Sequence, residues 1–428
     1  MAIKDELIDL AKKAQGASRL AYGISSALKN KALREMACRL ISAQEAILTA
    51  NQKDLRRAQA GGKSSAFTDR LALSPERIRQ MSDGLLEVAK LPDPVGEKLK
   101  CYSRPNGLKI EKVRVPIGVI AIIYESRPNV TADCIGLCFK SGNSVILRGG
   151  SEALQSNLAI FKVIKEVIKK MNLPEGLVNI VTAADRKAID ILLKLNDYID
   201  LVMPRGGEGL IRHVVKASRI PVIKHYLGIC HVYVDSKADL NMAQRICFNA
   251  KVQRPGTCNA MECMLVHQDA AARFLPGMIK EFSGAGVEIR GCPLTQKIAG
   301  RIHKSLVPKG RVKKAAERDY RSEYLDLILS VKVVPDLAEA IRHINYYGSH
   351  HSDSIVTNSS QNAAEFLKGV DSACVYVNAS TRFTDGNQFG MGAEIGISTD
   401  KLHARGPVAL EELTTYKYLI RGNGQVRQ

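Results

Sequence analysis

The chain has 428 residues, which exceeds the size of a single hydrophobic core and predicts about two or three domains. Its residues are 45% hydrophobic and 25% charged, the balance of an ordinary soluble globular protein. The first residues lack the apolar core of a signal peptide, and no stretch approaches the roughly 18 uninterrupted apolar residues of a membrane span. We therefore expect a cytoplasmic protein without a membrane partner.

The formal net charge of +19 favours an anionic partner, and two kinds of partner fit. A nucleic acid would need a concentrated basic face with interleaved aromatic residues. A phosphate-bearing substrate or cofactor would need basic residues near glycine loops. The densest basic run, residues 301–318, has no aromatic residue, and the chain lacks tryptophan. We interpret this run as a solvated surface segment and predict no nucleic-acid partner.

The ten cysteines are scattered along the chain without a Cys-x-x-Cys pair. In a chain of this length that distribution is typical of reduced thiols and not of a disulfide framework or a zinc site. The sequence therefore predicts no metal.

Residues 3–91 have the pattern of helices, because apolar positions recur at intervals of three and four. Ser74-Pro75-Glu76 gives the last of these helices a capping serine and a proline at its first position. Segments 99–103 and 108–115 flank the turn Pro105-Asn106-Gly107, and this pattern predicts a β-hairpin.

From residue 115 onward strands and helices alternate. Apolar runs at 119–124, 144–147, 178–182 and 198–203 predict buried parallel strands, each followed by a loop and a helix. Four such segments in succession predict an α/β fold with an open parallel sheet and helices on both faces.

Two of the predicted loops suit a nucleotide phosphate. Arg148-Gly149-Gly150-Ser151 follows a strand and precedes a helix, so that backbone N–H groups and a guanidinium can meet a phosphate. Arg205-Gly206-Gly207 repeats the arrangement. Neither loop has the Gly-x-Gly-x-x-Gly fingerprint of dinucleotide-binding loops, so a tight structural turn remains an alternative for each.

A second block follows residue 222, with further predicted strands and helices. Within it His350, His351 and Asp353 offer metal-ligand atoms, but no second pair at ligand spacing accompanies them, so we favour a hydrogen-bonded loop. The glycine-rich segment 385–396 predicts a backbone that passes close to another chain or a ligand.

The most distinctive stretch runs from Lys251 to Ala260. Cys258 follows Arg-Pro-Gly-Thr and precedes a predicted strand, so a tight turn would hold its sulfur at the mouth of that strand. Lys251 and Arg254 lie nearby, and cationic neighbours favour the nucleophilic thiolate. The residues alone leave open that Cys258 is a buried thiol that packs as a small hydrophobe.

Four segments carry a resemblance to a known family. They are residues 124–131 (YESRPNVT), 142–150 (GNSVILRGG), 253–259 (QRPGTCN) and 410–417 (LEELTTYK). With these segments the chain resembles the aldehyde dehydrogenase superfamily, and within it the gamma-glutamyl phosphate reductases. The resemblance extends over nearly the whole chain.

The resemblance implies an aldehyde dehydrogenase-like α/β fold with three parts. Residues 1–98 and 116–225 would form an NADPH-binding domain that includes the N-terminal helices, and residues 226–400 a catalytic domain. Residues 99–115 and 401–428 would form a small β element for oligomerisation, and hence a homo-oligomer is expected.

The resemblance also implies roles for individual residues. Cys258 would be the catalytic nucleophile, and Asn129 would stabilise the oxyanion together with the backbone N–H of Cys258. Arg148 stands in the place of a lysine that binds the adenine ribose. An arginine there, followed by Ser151, suits the 2′-phosphate of NADPH.

The other implied cofactor residues are Glu323, which would hold the nicotinamide ribose, and Gly149, Arg205, Gly206 and Gly207. The residues assigned to the substrate are Arg127, Asn378 and Arg382.

Hydrolytic members of the superfamily have a general-base glutamate upstream of the cysteine, whereas the corresponding segment here, Lys224 to His231, has no acid. Only Lys224, His225, Tyr226 and His231 could accept a proton there. A thioester on Cys258 would therefore be exchanged between phosphate and hydride. The implied reaction is the NADPH-dependent reduction of gamma-glutamyl phosphate to glutamate 5-semialdehyde with release of phosphate.

This reaction would be the second step of proline biosynthesis from glutamate, with glutamate 5-kinase as a candidate partner. Two rival hypotheses remain from the sequence. The chain could be another acylating dehydrogenase that uses a coenzyme A thioester, or a basic nucleic-acid-binding protein on an inactive dehydrogenase scaffold.

Overall fold

The computed structural model describes residues 3–224, 226–303 and 305–427. The chain divides into two compact units. The first unit consists of Met1–Lys224, Gly390–Gly396 and Pro407–Gln428, and the second of His225–Phe389 and Ile397–Gly406. Among the described residues, no helix has both the length and the hydropathy that crossing a membrane would require.

The first unit begins with the predicted helices. They are α1 (Ile3–Ala21), α2 (Ser26–Ser42), α3 (Gln44–Ala60), α4 (Ser65–Leu71) and α5 (Pro75–Lys90). Serines precede three of them, and the side chains of Ser25, Ser64 and Ser74 each accept a backbone N–H from the first turn, which satisfies a donor that has no partner inside a helix.

A hairpin follows, formed by β1 (Lys98–Ser103) and β2 (Lys109–Pro116). The two strands are antiparallel, with Tyr102 opposite Ile110, and they flank the turn that the sequence predicts.

The alternating part of the first unit forms a parallel sheet. Its strands are β3 (Val119–Tyr124), β4 (Ser144–Gly149), β5 (Val178–Ile180) and β6 (Leu201–Arg205), in the order β5-β4-β3-β6. The helices between and after them are α6 (Asn129–Lys140), α7 (Leu154–Lys170), α8 (Lys187–Leu192) and α9 (Glu208–Ala217). All six residues of β3 are buried. The predicted open parallel sheet is confirmed, and its order reverses direction beside β3, where ligands of such sheets bind.

The second unit is built around a larger parallel sheet. Its elements in chain order are β7 (Cys230–Val234), α10 (Leu240–Val252), β8 (Met261–His267), α11 (Gln268–Gly284), β9 (Glu288–Gly291), α12 (Pro293–Ala299), β10 (Val312–Lys314), β11 (Ile328–Val334), α13 (Leu337–Tyr347), β12 (Ser352–Val356), α14 (Ser360–Gly369) and β13 (Cys374–Val377). The seven strands are ordered β10-β9-β11-β8-β7-β12-β13. Every residue of β7 and of β12 is buried, so both strands lie inside the core of this unit.

The sequence pattern missed several short elements of this unit. The basic run 301–318, interpreted as a solvated surface segment, contributes β10 to the edge of the sheet, where it pairs with β9. Lys313 also forms an ion pair with Glu288 of β9 at 2.7 Å. Three residues that include two lysines carry no apolar alternation, so backbone pairing alone reveals this strand.

The chain ends with β14 (Gly396–Ser398), β15 (Gly406–Val408) and β16 (Thr414–Arg421). The first two form a two-stranded sheet, and β16 pairs antiparallel with β2, which completes the sheet β1-β2-β16. Arg114 of β2 bonds to Glu411 at 3.0 Å, just before β16. The proposed role of this sheet as a separate oligomerisation element stays a prediction.

Candidate active site

The loop that carries Cys258 lies between the end of α10 and the start of β8. The hydroxyl of Thr257 donates to the carbonyl of Arg254 at 2.9 Å, and the N–H of Ala260 donates to the carbonyl of Thr257 at 3.0 Å. These bonds close the tight turn that the Pro-Gly pair predicts. Cys258 is half-buried at the beginning of a buried strand.

The segment that leads into β7 packs against the backbone of Cys258. A methyl group on Gly228 would lie 2.6 Å from the Cα of Cys258 and would overlap its carbonyl group. The thiol of Cys230 donates to the same carbonyl oxygen at 3.2 Å. Only glycine at position 228 permits so close an approach of two backbones, so the position of the Cys258 main chain is narrowly defined.

The residue after the cysteine anchors the loop on its other side. The side-chain amide of Asn259 is buried and donates to the carbonyl of Thr384 at 2.9 Å. The backbone carbonyl of Asn259 accepts the hydroxyl of Thr381 at 2.7 Å. The loop that carries Cys258, the proposed nucleophile loop, is therefore fixed to the segment 381–384, which was not singled out as an anchor from the sequence.

That segment also carries Arg382, which interacts electrostatically with Cys258. Its Nε donates to the side-chain oxygen of Gln253 at 2.9 Å. Burial and the charge of Arg254 lower the pKa of Arg382, while the negative charge of a Cys258 thiolate raises it. The guanidinium thus lies within electrostatic reach of the sulfur, where it can compensate an anion.

Two acidic residues bond to the segments that adjoin this loop. Glu323 accepts the N–H of Gly228 at 2.9 Å. Glu262 of β8 accepts the N–H of Leu325 at 3.1 Å and pairs with Lys251 at 2.6 Å, with both side chains fully buried. Burial raises the pKa of Glu262 and lowers the pKa of Lys251. The ammonium of Lys251 is therefore directed at Glu262, and it holds the loop in place instead of acting as a free cation beside the thiol.

Asn378 lies outside this network of hydrogen bonds. It has a positive φ of 56°, and its amide accepts the N–H of Thr357 and donates to the carbonyl of the same residue, both at 2.9 Å. These bonds give Asn378 a structural task at the end of β13. Its assignment to the substrate stays a prediction.

The candidate proton acceptors before β7 are distributed as follows. His225 lies outside the described residues. His231 is fully buried, and its Nδ1 lies 2.9 Å from Asp353. Asp353 also accepts the N–H of His231 at 2.7 Å, and the Nδ1 of His351 lies 2.8 Å from the hydroxyl of Ser352. The expected hydrogen-bonded arrangement of this histidine-rich loop is confirmed.

In the first unit, two carboxylates connect the loops at the carboxyl ends of β3, β4 and β6. Glu125 accepts the N–H of Gly207 at 2.9 Å. Glu152 accepts both the N–H and the hydroxyl of Ser126, at 3.2 and 2.7 Å. Sequence reasoning missed both acids, since nothing in the local pattern shows that they reach across to neighbouring loops.

The glycines of these loops are explained by the same acids. A methyl group on Gly206 would lie 2.5 Å from the carboxylate of Glu125, and one on Gly150 would overlap the carboxylate of Glu152. A methyl group on Gly149 would overlap the side chain of Asn157. Close packing therefore accounts for part of the glycine pattern, which is the alternative that the sequence left open.

Asn129 begins α6, and its amide donates to Asp133 at 3.1 Å, one turn further on. Burial raises the pKa of Asp133 to about 6, although the bond from Asn129 and the charge of Arg205 both lower it. The second N–H of the Asn129 amide points away from this bond by the planar geometry of the group. Arg127, two residues earlier, is exposed.

Arg148 is buried at the end of β4. Its guanidinium donates to the carbonyls of Gly149 and Ala184, both at 3.0 Å, and its Nε has no hydrogen-bond partner among the described residues. Burial lowers its pKa, and the charge of nearby Arg186 acts in the same direction. Arg186 and Ser151 are exposed.

Arg205 ends β6 and packs against the glycine-rich tail. A methyl group on Gly396 would lie 2.9 Å from the guanidinium of Arg205, and one on Gly392 would lie 2.9 Å from Leu91. The close backbone approach expected for segment 385–396 is made here to residues of the same chain.

A comparison with known protein families agrees with this fold and with the position of the cysteine loop. A sequence model of the aldehyde dehydrogenase family matches residues 9–293, more than half of the chain. The fold and the cysteine loop thus define an aldehyde dehydrogenase-type protein.

Individual relatives narrow this class. The gamma-glutamyl phosphate reductase of Thermodesulfovibrio yellowstonii is 55% identical over 428 residues, which is 100% of both chains. The enzyme of the same name from Moorella thermoacetica is 53% identical over the same span. The crystal structure of gamma-glutamyl phosphate reductase from Thermotoga maritima, 46% identical, covers 99% of this chain and 100% of its own, with a TM-score of 0.94. The chain belongs to the gamma-glutamyl phosphate reductases, and its aldehyde dehydrogenase-like fold is confirmed.

Proposed function

We propose that this chain reduces gamma-glutamyl phosphate to glutamate 5-semialdehyde with NADPH, through a thioester on Cys258. The observation that carries the proposal is the nucleophile loop. Its backbone is fixed by Gly228 and Cys230, while the side chain of Cys258 stays half-buried and interacts electrostatically with Arg382. The family membership supplies the substrate class.

In the first step the Cys258 thiolate attacks the acyl carbon of the substrate, a C–S bond forms and the bond to phosphate breaks. The cation of Arg382 can stabilise the negative charge, which is on the thiolate before the attack and on the departing phosphate after it. The backbone N–H of Cys258 and the amide of Asn129 would stabilise the oxyanion of the tetrahedral intermediate. Both assignments require donors that are already oriented, and the anchoring of Asn259 to Thr384 serves that purpose for the cysteine loop.

A nicotinamide dinucleotide, when bound, supplies hydride to the thioester carbonyl. The residues of the first unit fit such a group. Within the described part of the chain the buried Nε of Arg148 has no hydrogen-bond partner, and the exposed cations Arg186 and Lys187 lie on the loop that Arg148 holds. We propose that Arg148 orients this loop, that Arg186 and Lys187 contact the 2′-phosphate of NADPH, and that Glu323 binds the nicotinamide ribose. Ser151, Gly206 and Gly207 would face the pyrophosphate.

The test uses the reverse reaction, with glutamate 5-semialdehyde and NADP⁺. Water attack on the thioester would need a general base, and the described part of segment 224–231 offers no carboxylate. NADP⁺ reduction should therefore stop after one burst per Cys258 and resume when inorganic phosphate or arsenate is added.

Cys258→Ser should abolish the burst, because a neutral hydroxyl without an adjacent base is a poor nucleophile. Cys292→Ser is the matched control, since Cys292 is a half-buried thiol of the same unit and should leave the burst unchanged. Sustained turnover in phosphate-free buffer that yields free glutamate would contradict the proposed reaction.

We also propose that the sheet β1-β2-β16 mediates a homo-oligomer. Its strands expose the large apolar side chains of Leu99, Tyr102, Tyr416, Tyr418 and Ile420, a surface of the kind that protein interfaces cover. The double variant Tyr418→Lys/Ile420→Lys should sediment as a monomer, whereas an unchanged sedimentation coefficient would place the interface elsewhere.

A further inference from the structure

Three potential metal ligands from separate parts of the second unit meet inside its core. They are His231 of β7, Cys263 of β8 and His343 of α13. Their ligand atoms all lie within 4.8 Å of one another, and all three residues are buried. The sequence could not reveal the group, because its members stand far apart in the chain and follow no ligand spacing.

His231 is oriented as metal-binding histidines are. Its Nδ1 lies 2.9 Å from Asp353, and in the neutral imidazole this bond places the proton on Nδ1 and leaves Nε2 able to bind a cation. Nε2 has no hydrogen-bond partner among the described residues, although the side chain is fully buried. A buried polar atom without a partner is rare and requires an explanation such as a bound ion or water.

The other two ligands face each other. The sulfur of Cys263 lies 3.8 Å from the Nε2 of His343. The Nδ1 of His343 lies 3.2 Å from the ammonium of Lys332. A cation on Nε2 would require a proton on Nδ1, so Lys332 would have to turn away. Its ammonium already lies 3.5 Å from Glu339, and its side chain is partly exposed, so that movement is short.

We propose that His231, Cys263 and His343 form a binding site for Zn²⁺. One thiolate and two imidazoles are a donor set that zinc accepts, with a water as the fourth ligand. Ligand distances of about 2.0–2.3 Å require the three donor atoms, now within 4.8 Å of one another, to move closer together. On binding, the Cys263 thiol loses its proton and the cation takes its place. The charges of the thiolate and of Asp353 together balance a divalent cation, which the buried location requires.

The site would brace the strand beneath the nucleophile. His231 directly follows Cys230, whose thiol donates to the carbonyl of Cys258. A cation joining β7, β8 and α13 would hold that strand in register. Its role would be structural, so loss of zinc should lower thermal stability more than it lowers turnover at moderate temperature.

The experiment measures metal content in untagged full-length protein expressed with added Zn²⁺ and dialysed against EDTA. We expect about one zinc ion per chain in the wild type, since a buried site exchanges only when the protein opens. Cys263→Ala should hold less than about a tenth of that amount. Cys247→Ala is the matched control, because Cys247 is an equally buried thiol of the same unit, and it should keep the zinc.

A second measurement needs no variant that might fold poorly. Wild-type protein expressed in minimal medium with Co²⁺ should show the charge-transfer absorption of a thiolate bound to cobalt. Wild-type protein that holds neither zinc nor thiolate-bound cobalt would overturn the proposal. Cys263→Ala that keeps the wild-type zinc content would also overturn it.

Discussion

The glycine loops of the first unit and the nucleophile loop of the second both depend on close contacts, but on contacts of different kinds. In the first unit, a methyl group at Gly206 or Gly150 would meet the ends of glutamate side chains. In the second unit, a methyl group at Gly228 would meet the backbone of Cys258 itself. A glutamate can rotate away, whereas a backbone held on both sides cannot.

The charged side chains next to the two kinds of loop also differ, in this case in how deeply they are buried. Lys251 and Glu262 next to the nucleophile loop are fully buried, while Glu125 at the glycine loops of the first unit is exposed. A nucleophile must stay within a fraction of an ångström of its productive position. The loops that we propose to bind and release a cofactor benefit from side chains that adjust. The contrast indicates that rigidity in this protein is concentrated at the cysteine.

The largest expected effect comes from breaking the buried pair. Lys251→Met would leave Glu262 buried without its partner, which costs about 3–5 kcal/mol of unfolding free energy. Urea unfolding followed by circular dichroism would measure the loss. The exposed pair of Arg342 with Glu339 is the matched control, and Arg342→Met should cost about 0–1 kcal/mol.

The double variant Lys251→Met/Glu262→Leu separates charge from packing. It should recover much of the stability, because an apolar pair of similar volume replaces a buried ion pair at little cost. If Lys251→Met were as stable as the wild type, the pair would not support the loop.

The second effect is on turnover. In Gly228→Ala the new methyl group must displace the backbone of Cys258, and a shift of about 1 Å at a catalytic group lowers kcat about 10²-fold. Gly277→Ala is the control, since Gly277 lies in α11 with nothing within 4 Å of an added methyl group. Steady-state kinetics of both variants would test this. Equal kcat values for Gly228→Ala and Gly277→Ala would show that the contact with Gly228 does not constrain the nucleophile loop.

Much of the fold could be predicted from the sequence, because its buried strands are continuous apolar runs. The strand Val119–Tyr124 agrees residue by residue with its apolar run, and Cys258 was placed in a turn before a strand by its Pro-Gly pair. Both predictions rest on local physics, namely burial on two faces and backbone geometry.

The tertiary contacts could not be predicted in this way. Glu125 and Glu152 reach across to loops that follow other strands, and Lys251 pairs with a residue on the next strand. Arg148 was expected at a phosphate, and its guanidinium also bonds to backbone carbonyls, which the local pattern did not indicate; its contact with a phosphate stays a prediction. A local pattern states which groups are available and leaves their partners open.

The third effect depends on pH and concerns Asp133, which accepts the Asn129 amide. Its pKa is raised to about 6 by burial, against about 3.9 for an unfolded aspartate. The unfolded chain therefore loses this proton first. The contribution of Asp133 to folding is fully favourable below about pH 4 and is lost as the pH rises through 6.

Asp133→Asn removes this loss, since an amide does not ionise. Relative to the wild type, the variant should gain about 2 kcal/mol of unfolding free energy between pH 4 and pH 7. Thermal unfolding at the two pH values would measure the difference. A difference that is the same at both values would show that the carboxyl does not titrate as the structure indicates.

The smallest effect should come from Gly206→Ala, which repeats the glycine test in the first unit. The added methyl group would lie 2.5 Å from the carboxylate of Glu125 and 2.9 Å from a terminal carbon of Leu210. Both are ends of flexible side chains, so they can move, and the bond from Gly207 to Glu125 would weaken. We expect KM for NADPH to rise a few-fold, about 1 kcal/mol or less, with kcat nearly unchanged.

Gly209→Ala is the control, because nothing lies within 4 Å of a methyl group added there, and it should alter neither KM nor kcat. A fall in kcat as large as that of Gly228→Ala would mean that the cofactor loop is as rigid as the nucleophile loop, and the contrast between the two units would have to be abandoned.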